Sequence, residues 1–151
     1  MLMGYLKLQF ESDGDGTGEL FATFKANGFA GHGSAWFDII NLAETAKLFA
    51  KYPLPNNPEI FLAGGYWNND KPATLKEELL YISAYPSNAR GGIGVKIRVA
   101  YEATIGDGHV SLHRATGELS TSYEQLAQFS KSLIALAYGD VKEVILDERN
   151  V

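Results

Sequence analysis

The sequence predicts an α+β fold, a largely antiparallel, strongly twisted sheet of about eight strands with two helices, built from a tandem unit of three strands, a helix and a strand. Segments with apolar residues at every second position come in groups of three, and each group is followed by one amphipathic helix with an N-terminal capping signal. The two groups can also be set in register along the chain.

The first group opens with Leu6, Leu8 and Phe10 alternating with Lys7 and Gln9, the period of a half-buried strand. A turn through Asp13-Gly14-Asp15-Gly16 follows. Leu20, Ala22 and Phe24 form a second strand, Asn27-Gly28 is a hairpin signal, and residues 34–39 read as a third strand in which Trp36 is expected in the core. Asn41 is placed as the N-cap of a helix with Glu44 three residues on, its apolar face made by Leu42, Ala46, Phe49 and Ala50. Pro53, Pro55 and Pro58 close it. Residues 59–63 form a short buried strand, and residues 64–74 a polar loop.

The second group begins with a strand at 78–85. Ile93, Val95, Ile97, Val99 and Tyr101 then give the clearest alternation in the chain, and a glycine turn at 106–108 leads into a strand at 110–115. Thr121 and Glu124 suggest a second capping box, with Leu126, Phe129, Leu133 and Leu136 as the buried stripe of the second helix. Residues 144–146 are the last strand.

Set against each other, the halves align with a growing offset: 74 for Leu6 and Leu80, 75 for Ala22 and Ile97, 77 for residues 31–34, 80 for the helix starts and 84 for the final strands. One domain over 1–151 is expected, with repeat one at about 4–64 and repeat two at about 77–147. A chain of this length buries roughly 70% of its unfolded surface, enough for one core.

Composition excludes several functions. With no cysteine there is no disulfide framework, thiolate metal site or cysteine nucleophile, which suits a reducing cytoplasm. The net charge of −5 is spread evenly, with 6 basic and 8 acidic residues in 1–76 and 7 and 10 in the rest, so no basic footprint for nucleic acid exists. No stretch is apolar enough for a membrane span, and neither an export signal nor an anchor is expected.

Asp13, Asp15, Thr17 and Gly18 imitate the start of a calcium loop, but the bidentate glutamate is replaced by Phe24, so a solvated hairpin loop is expected. His109 and His113 share a strand face about 13 Å apart, too far for one metal ion. His32 and His109 fall at equivalent repeat positions. Residues 91–96 are glycine-rich but lead into a strand, whereas phosphate cradles lead into helices. No catalytic, cofactor-binding or metal-ligating residues are predicted. The candidate partner-binding residues are Tyr66, Trp67, Asn68, Asn69 and Asp70, where large aromatics stand in a polar segment, since Tyr and Trp anchor interfaces.

Read as whole segments, Gly33-Ser34-Ala35-Trp36-Phe37 leading into a short helix, Tyr52-Pro53-Leu54, and residues 121–139 resemble small immunity proteins of bacterial polymorphic-toxin systems, the WapI-type family. The resemblance covers the chain from about Gly18 onward. It implies a non-catalytic cytoplasmic protein that binds and blocks a cognate protein toxin, and it carries over no catalytic residues. The alternative expectation is a small-molecule binding domain or enzyme using the concave face of the sheet.

Overall fold

Antiparallel strands joined by short turns follow directly from the alternating segments. The structure, a computed structural model, describes residues 3–57, 60–69, 71–105 and 109–149, with side chains for all of these except 103–105 and 109–111. In chain order the elements are β1 (Tyr5–Ser12), β2 (Thr17–Ala26), β3 (Phe29–Asp38), α1 (Ile39–Leu48), β4 (Phe61–Trp67), β5 (Leu75–Pro86), β6 (Gly92–Ile105), β7 (His109–Ser122), α2 (Tyr123–Ala137) and β8 (Glu143–Asp147). This is the expected α+β class, with every strand pair antiparallel.

The strands divide into two four-stranded sheets, ordered β3-β2-β1-β8 and β4-β5-β6-β7, rather than forming one. Each meander takes the closing strand of the other half: β8 pairs with β1, and β4 with β5. The order of three strands, helix and strand therefore occurs twice, but the residue alignment holds only for the first two strands. Leu6 faces Phe24 as Leu80 faces Val99, in keeping with offsets of 74 and 75. Gly33 lies opposite Ala22 and Gly117 opposite Ile97, an offset of 84 where the sequence suggested 77. By this register His32 corresponds to Thr116, not His109. The cause is the second hairpin, whose strands have 14 residues each against 10 in β2 and β3.

Both helix starts move for a similar reason. Asp38, not Asn41, caps α1 by accepting the Asn41 N–H at 3.0 Å, and Ser122, not Thr121, caps α2 by accepting the Gln125 N–H at 3.2 Å. β3 and β7 run up to these caps, so the strands are longer and the helices begin without a linker. Thr121 is thereby held inside the strand. In α1 the buried set is Leu42, Ala43 and Ala46 with Phe49 at the C-cap; Ala50 lies past the helix end and is exposed.

One core cluster joins both sheets and both helices. Leu126, Phe129, Leu133 and Leu136 of α2 are buried as expected, each worth about 1.5–3 kcal/mol on leaving water. The helices meet through an edge-to-face pair of Phe49 and Phe129 at 5.8 Å and a buried hydrogen bond from the Ser130 hydroxyl to the Ala46 carbonyl at 2.6 Å.

Glycine decides how the sheets meet. A Cβ on Gly31 would lie 2.6 Å from the Ala115 Cβ, on Gly33 3.1 Å from the Val99 Cβ, and on Gly64 2.7 Å from the Phe37 ring. β3 thus crosses the second sheet from β7 over β6 to β4. Its inward residues Gly33 and Ala35 are buried, which turns the alternate residues His32, Ser34 and Trp36 outward. Trp36 is 54% exposed, contrary to the core position expected for it, because Ala35 occupies the inward place beside it.

Candidate binding groove

The segment expected as a loop at 64–74 is strand as far as Trp67. Pairing of β4 with β5 shifts register between Gly64 and Gly65 and again between Tyr66 and Trp67. Such bulges re-aim side chains. Gly65 is required at the first shift: its φ is +158°, and a Cβ there would lie 2.0 Å from the Glu77 carbonyl oxygen. The bulges leave Tyr66 and Trp67, consecutive in sequence, both about half exposed. Asn68 then closes the strand with its N–H on the Thr74 carbonyl at 2.8 Å and its amide on the Thr74 hydroxyl at 3.2 Å. Asn69 is exposed, and Asp70 lies outside the described residues.

Three hollows follow β3 along its length. The first, about 450 Å³, lies among Ala30, Gly31, His32, Val99, Tyr101, His113, Arg114 and Ala115. The second, about 250 Å³, is formed by Glu19, Ser34, Trp36, Tyr66, Tyr101 and Glu102 with Ala35, Gly65, Leu79 and Ala100 behind them. The third, about 530 Å³, runs from Trp36 and Asp38 past Asn41, Thr45 and Leu48 of α1 to Phe61 and Trp67 of β4. Tyr101 lines both of the first two and Trp36 both of the last two, so neighbouring hollows share a wall, and the three together are called the groove.

The groove joins two of the predicted residues, Tyr66 and Trp67, to three aromatics that sequence reasoning did not assign to it: Trp36, Phe61 and Tyr101. All five are roughly half exposed. For Trp36 the signal was alternation, since it stands one residue from buried Ala35; for Tyr101 alternation points inward, with buried Val99, so its exposure had no local signal. Glu19 and Trp36 are cross-strand neighbours, and Glu19 accepts the Ser34 hydroxyl at 2.6 Å. Among the described residues the second and third hollows contain Glu19, Glu102 and Asp38 and no basic residue.

The back of the second sheet carries cations and aromatics in a different state. Arg98 lies 3.7 Å over the Tyr81 ring and forks onto Glu78 at 2.9 and 2.8 Å; this pairing holds its guanidinium pKa up. Two groove residues make contacts of their own: Phe61, which lines the third hollow, stacks on Tyr81 at 5.9 Å, and Arg114, which lines the first, pairs with Glu77 at 2.8 Å.

Chemistry elsewhere is sparse. In the β1–β2 turn Asp15 accepts the Thr17 hydroxyl and N–H at 2.7 and 3.0 Å, and these bonds, the hydroxyl's first, hold its carboxyl below the usual range. The carboxylate is spent on the turn, as a hairpin loop requires. Among the described residues no cluster of three or more His, Asp or Glu could hold a metal ion. His32 shares the first hollow with His113; the side chain of His109 lies outside the described set. Residues 91–96 do lead into a strand, β6, with Gly91 at a φ of +90°. No helix among the described residues is long and apolar enough to cross a membrane.

No family model, curated protein or solved structure matches this chain. The functional reading therefore rests on the groove.

Proposed function

We propose that the protein is a non-catalytic binding protein that recognises a protein partner through the groove along β3, and that the partner is a cognate bacterial toxin, which it neutralises in the cytoplasm. One observation supports the reading: five half-exposed aromatics from both sheets line two hollows that share Trp36, together with three carboxylate residues. Large aromatics on rigid strands bury much area at little entropic cost, the property of interface anchors. Acidic residues around them favour a basic partner and speed encounter with it. The resemblance to immunity proteins supplies the class of partner.

Expression of the reading frame beside this gene, with and without this chain, tests it. The expected result is growth arrest relieved by the wild-type chain but not by a Trp36→Ala, Trp67→Ala variant. Arrest unrelieved by the wild-type chain would contradict the reading. A second reading has one specific observation behind it: His32, His113 and Tyr101 line the first hollow, beside Arg114 already paired with Glu77, so a small anionic ligand could be held there. Saturable shifts of the His32 and His113 ring resonances with a carboxylate or phosphate probe would favour that reading.

A further inference from the structure

The geometry points to the second hollow as a cage for an arginine side chain presented by the protein partner. This rests on the reading of the groove as a recognition surface and names what its centre takes. Trp36, Tyr66 and Tyr101 line a hollow of about 250 Å³, room for a guanidinium and its stem, and all three are between 52% and 55% exposed. Ring faces attract cations, and cages of this composition are a recurring way to hold them.

Two acidic residues, Glu19 and Glu102, line the same hollow, and neither is ion-paired among the described residues. Glu102 has no ion pair or side-chain hydrogen bond among the described residues, and Glu19 has only the Ser34 hydroxyl. Two other carboxylates beside aromatics behave differently: Glu78 is taken by Arg98, and Glu118 by the Tyr85 hydroxyl. An arginine suits the cage better than a lysine because its flat guanidinium can stack on a ring while forking to a carboxylate. The same chain already makes that arrangement internally, where Arg98 covers Tyr81 and forks onto Glu78.

Trp36 and Trp67 are the two tryptophans of the chain, so Trp67→Phe leaves Trp36 as sole reporter in the cage. Titration of this variant with the acetylated, amidated tripeptide Gly-Arg-Gly, followed by Trp36 fluorescence and amide chemical shifts, should give saturable millimolar binding mapped to residues 34–36, 65–66 and 100–102. The tripeptide with citrulline, uncharged but of the same shape, should bind about ten-fold more weakly or less. The lysine tripeptide should also be weaker. Glu19→Gln with Glu102→Gln should cost about ten-fold in arginine affinity at an unchanged melting temperature, and Tyr101→Leu gives an independent reading of one wall. Equal binding of the arginine and citrulline peptides, equal binding of arginine and lysine, shifts mapping elsewhere, or a carboxylate variant that binds as the parent does would each overturn the cage. Toxin neutralisation that survives Glu19→Gln with Glu102→Gln but fails in Trp36→Ala overturns the cage and leaves the recognition surface. Arginine-selective binding without any neutralisation supports the cage and overturns the proposed function.

Discussion

Gly65→Ala is the substitution that bears most directly on how the aromatic groove is held. The added Cβ would lie 2.0 Å from the Glu77 carbonyl oxygen and 2.9 Å from the Leu79 nitrogen, and both are backbone atoms that no side-chain rotation can move. β4 must then either shift at Gly65 or give up its pairing from Gly65 to Trp67. A strained backbone position costs about 1–3 kcal/mol, and the clash adds to it, so a loss of about 2–3 kcal/mol is expected. For a chain of this size each kcal/mol moves the melting temperature by about 2–4 °C, giving a fall of about 4–12 °C. Gly91→Ala is the control: its φ is +90°, but nothing lies within 4 Å of the new Cβ, so its cost is only the left-handed strain of about 1–2 kcal/mol. Urea and thermal unfolding by circular dichroism measure both, and native tryptophan emission shows whether Trp36 and Trp67 have moved. Gly65→Ala no more costly than Gly91→Ala, with unaltered emission, would refute the placement of Tyr66 and Trp67 on a bulged strand.

Further expectations concern the packing and the surface. A Cβ on Gly117 would come 2.5 Å from the Phe24 ring, so Gly117→Ala should cost about 1–3 kcal/mol and Phe24→Leu should relieve part of it; in a urea double-mutant cycle the pair should depart from additivity by about 1 kcal/mol or more, whereas additive values would mean the two do not touch. Thr121 is fully buried with its hydroxyl unpaired among the described residues, so Thr121→Val should leave stability unchanged or raise it by about 1 kcal/mol, and a clear loss would reveal a partner for the hydroxyl. The Tyr85 hydroxyl donates to Glu118, and that bond, then burial and the neighbouring charge, pushes its pKa up from 10.0 to about 12. Because the folded value is raised, the stabilisation is complete below about pH 10 and is lost as pH rises toward 12. Ultraviolet titration of the eight tyrosines should show Tyr85 ionising late, and Glu118→Gln should bring it back toward 10.

The fold class was legible because both periods were strong. Leu6 and Leu8, or Ile93, Val95, Ile97 and Val99, alternate so cleanly with their neighbours that a strand with one buried face is the simplest physical solution, and these six residues are buried. The Asn27-Gly28 turn was legible for the same kind of reason, since both residues take positive φ values of 49° and 85°. What local pattern does not encode is which closing strand joins which meander. The exchange of β4 and β8 between the halves is set by long-range pairing, and it converts one expected sheet into two. The groove was half legible. Tyr66 and Trp67 stood out as aromatics in a polar setting, but a bulge at Gly65 keeps them on a strand, and only the crossing of β3 over the second sheet brings Trp36, Glu19 and Tyr101 to meet them. Glycines such as Gly31, Gly33 and Gly64 carried that information as permission for close approach, which composition alone does not distinguish from a turn.

The central claim is that this chain recognises a protein through the β3 groove, with Trp36 near its middle. Trp36 is half exposed, so its removal should cost the fold little. The decisive measurement is the dissociation constant of the purified chain and the toxin domain it relieves, by titration calorimetry, for wild type, Trp36→Ala and, at the exposed C-cap of α2, Tyr138→Ala. Trp36→Ala should weaken binding by roughly 30-fold or more, the effect of losing an interface anchor worth at least about 2 kcal/mol, while Tyr138→Ala binds as wild type does. Unchanged affinity in Trp36→Ala, or loss confined to Tyr138→Ala, would contradict it.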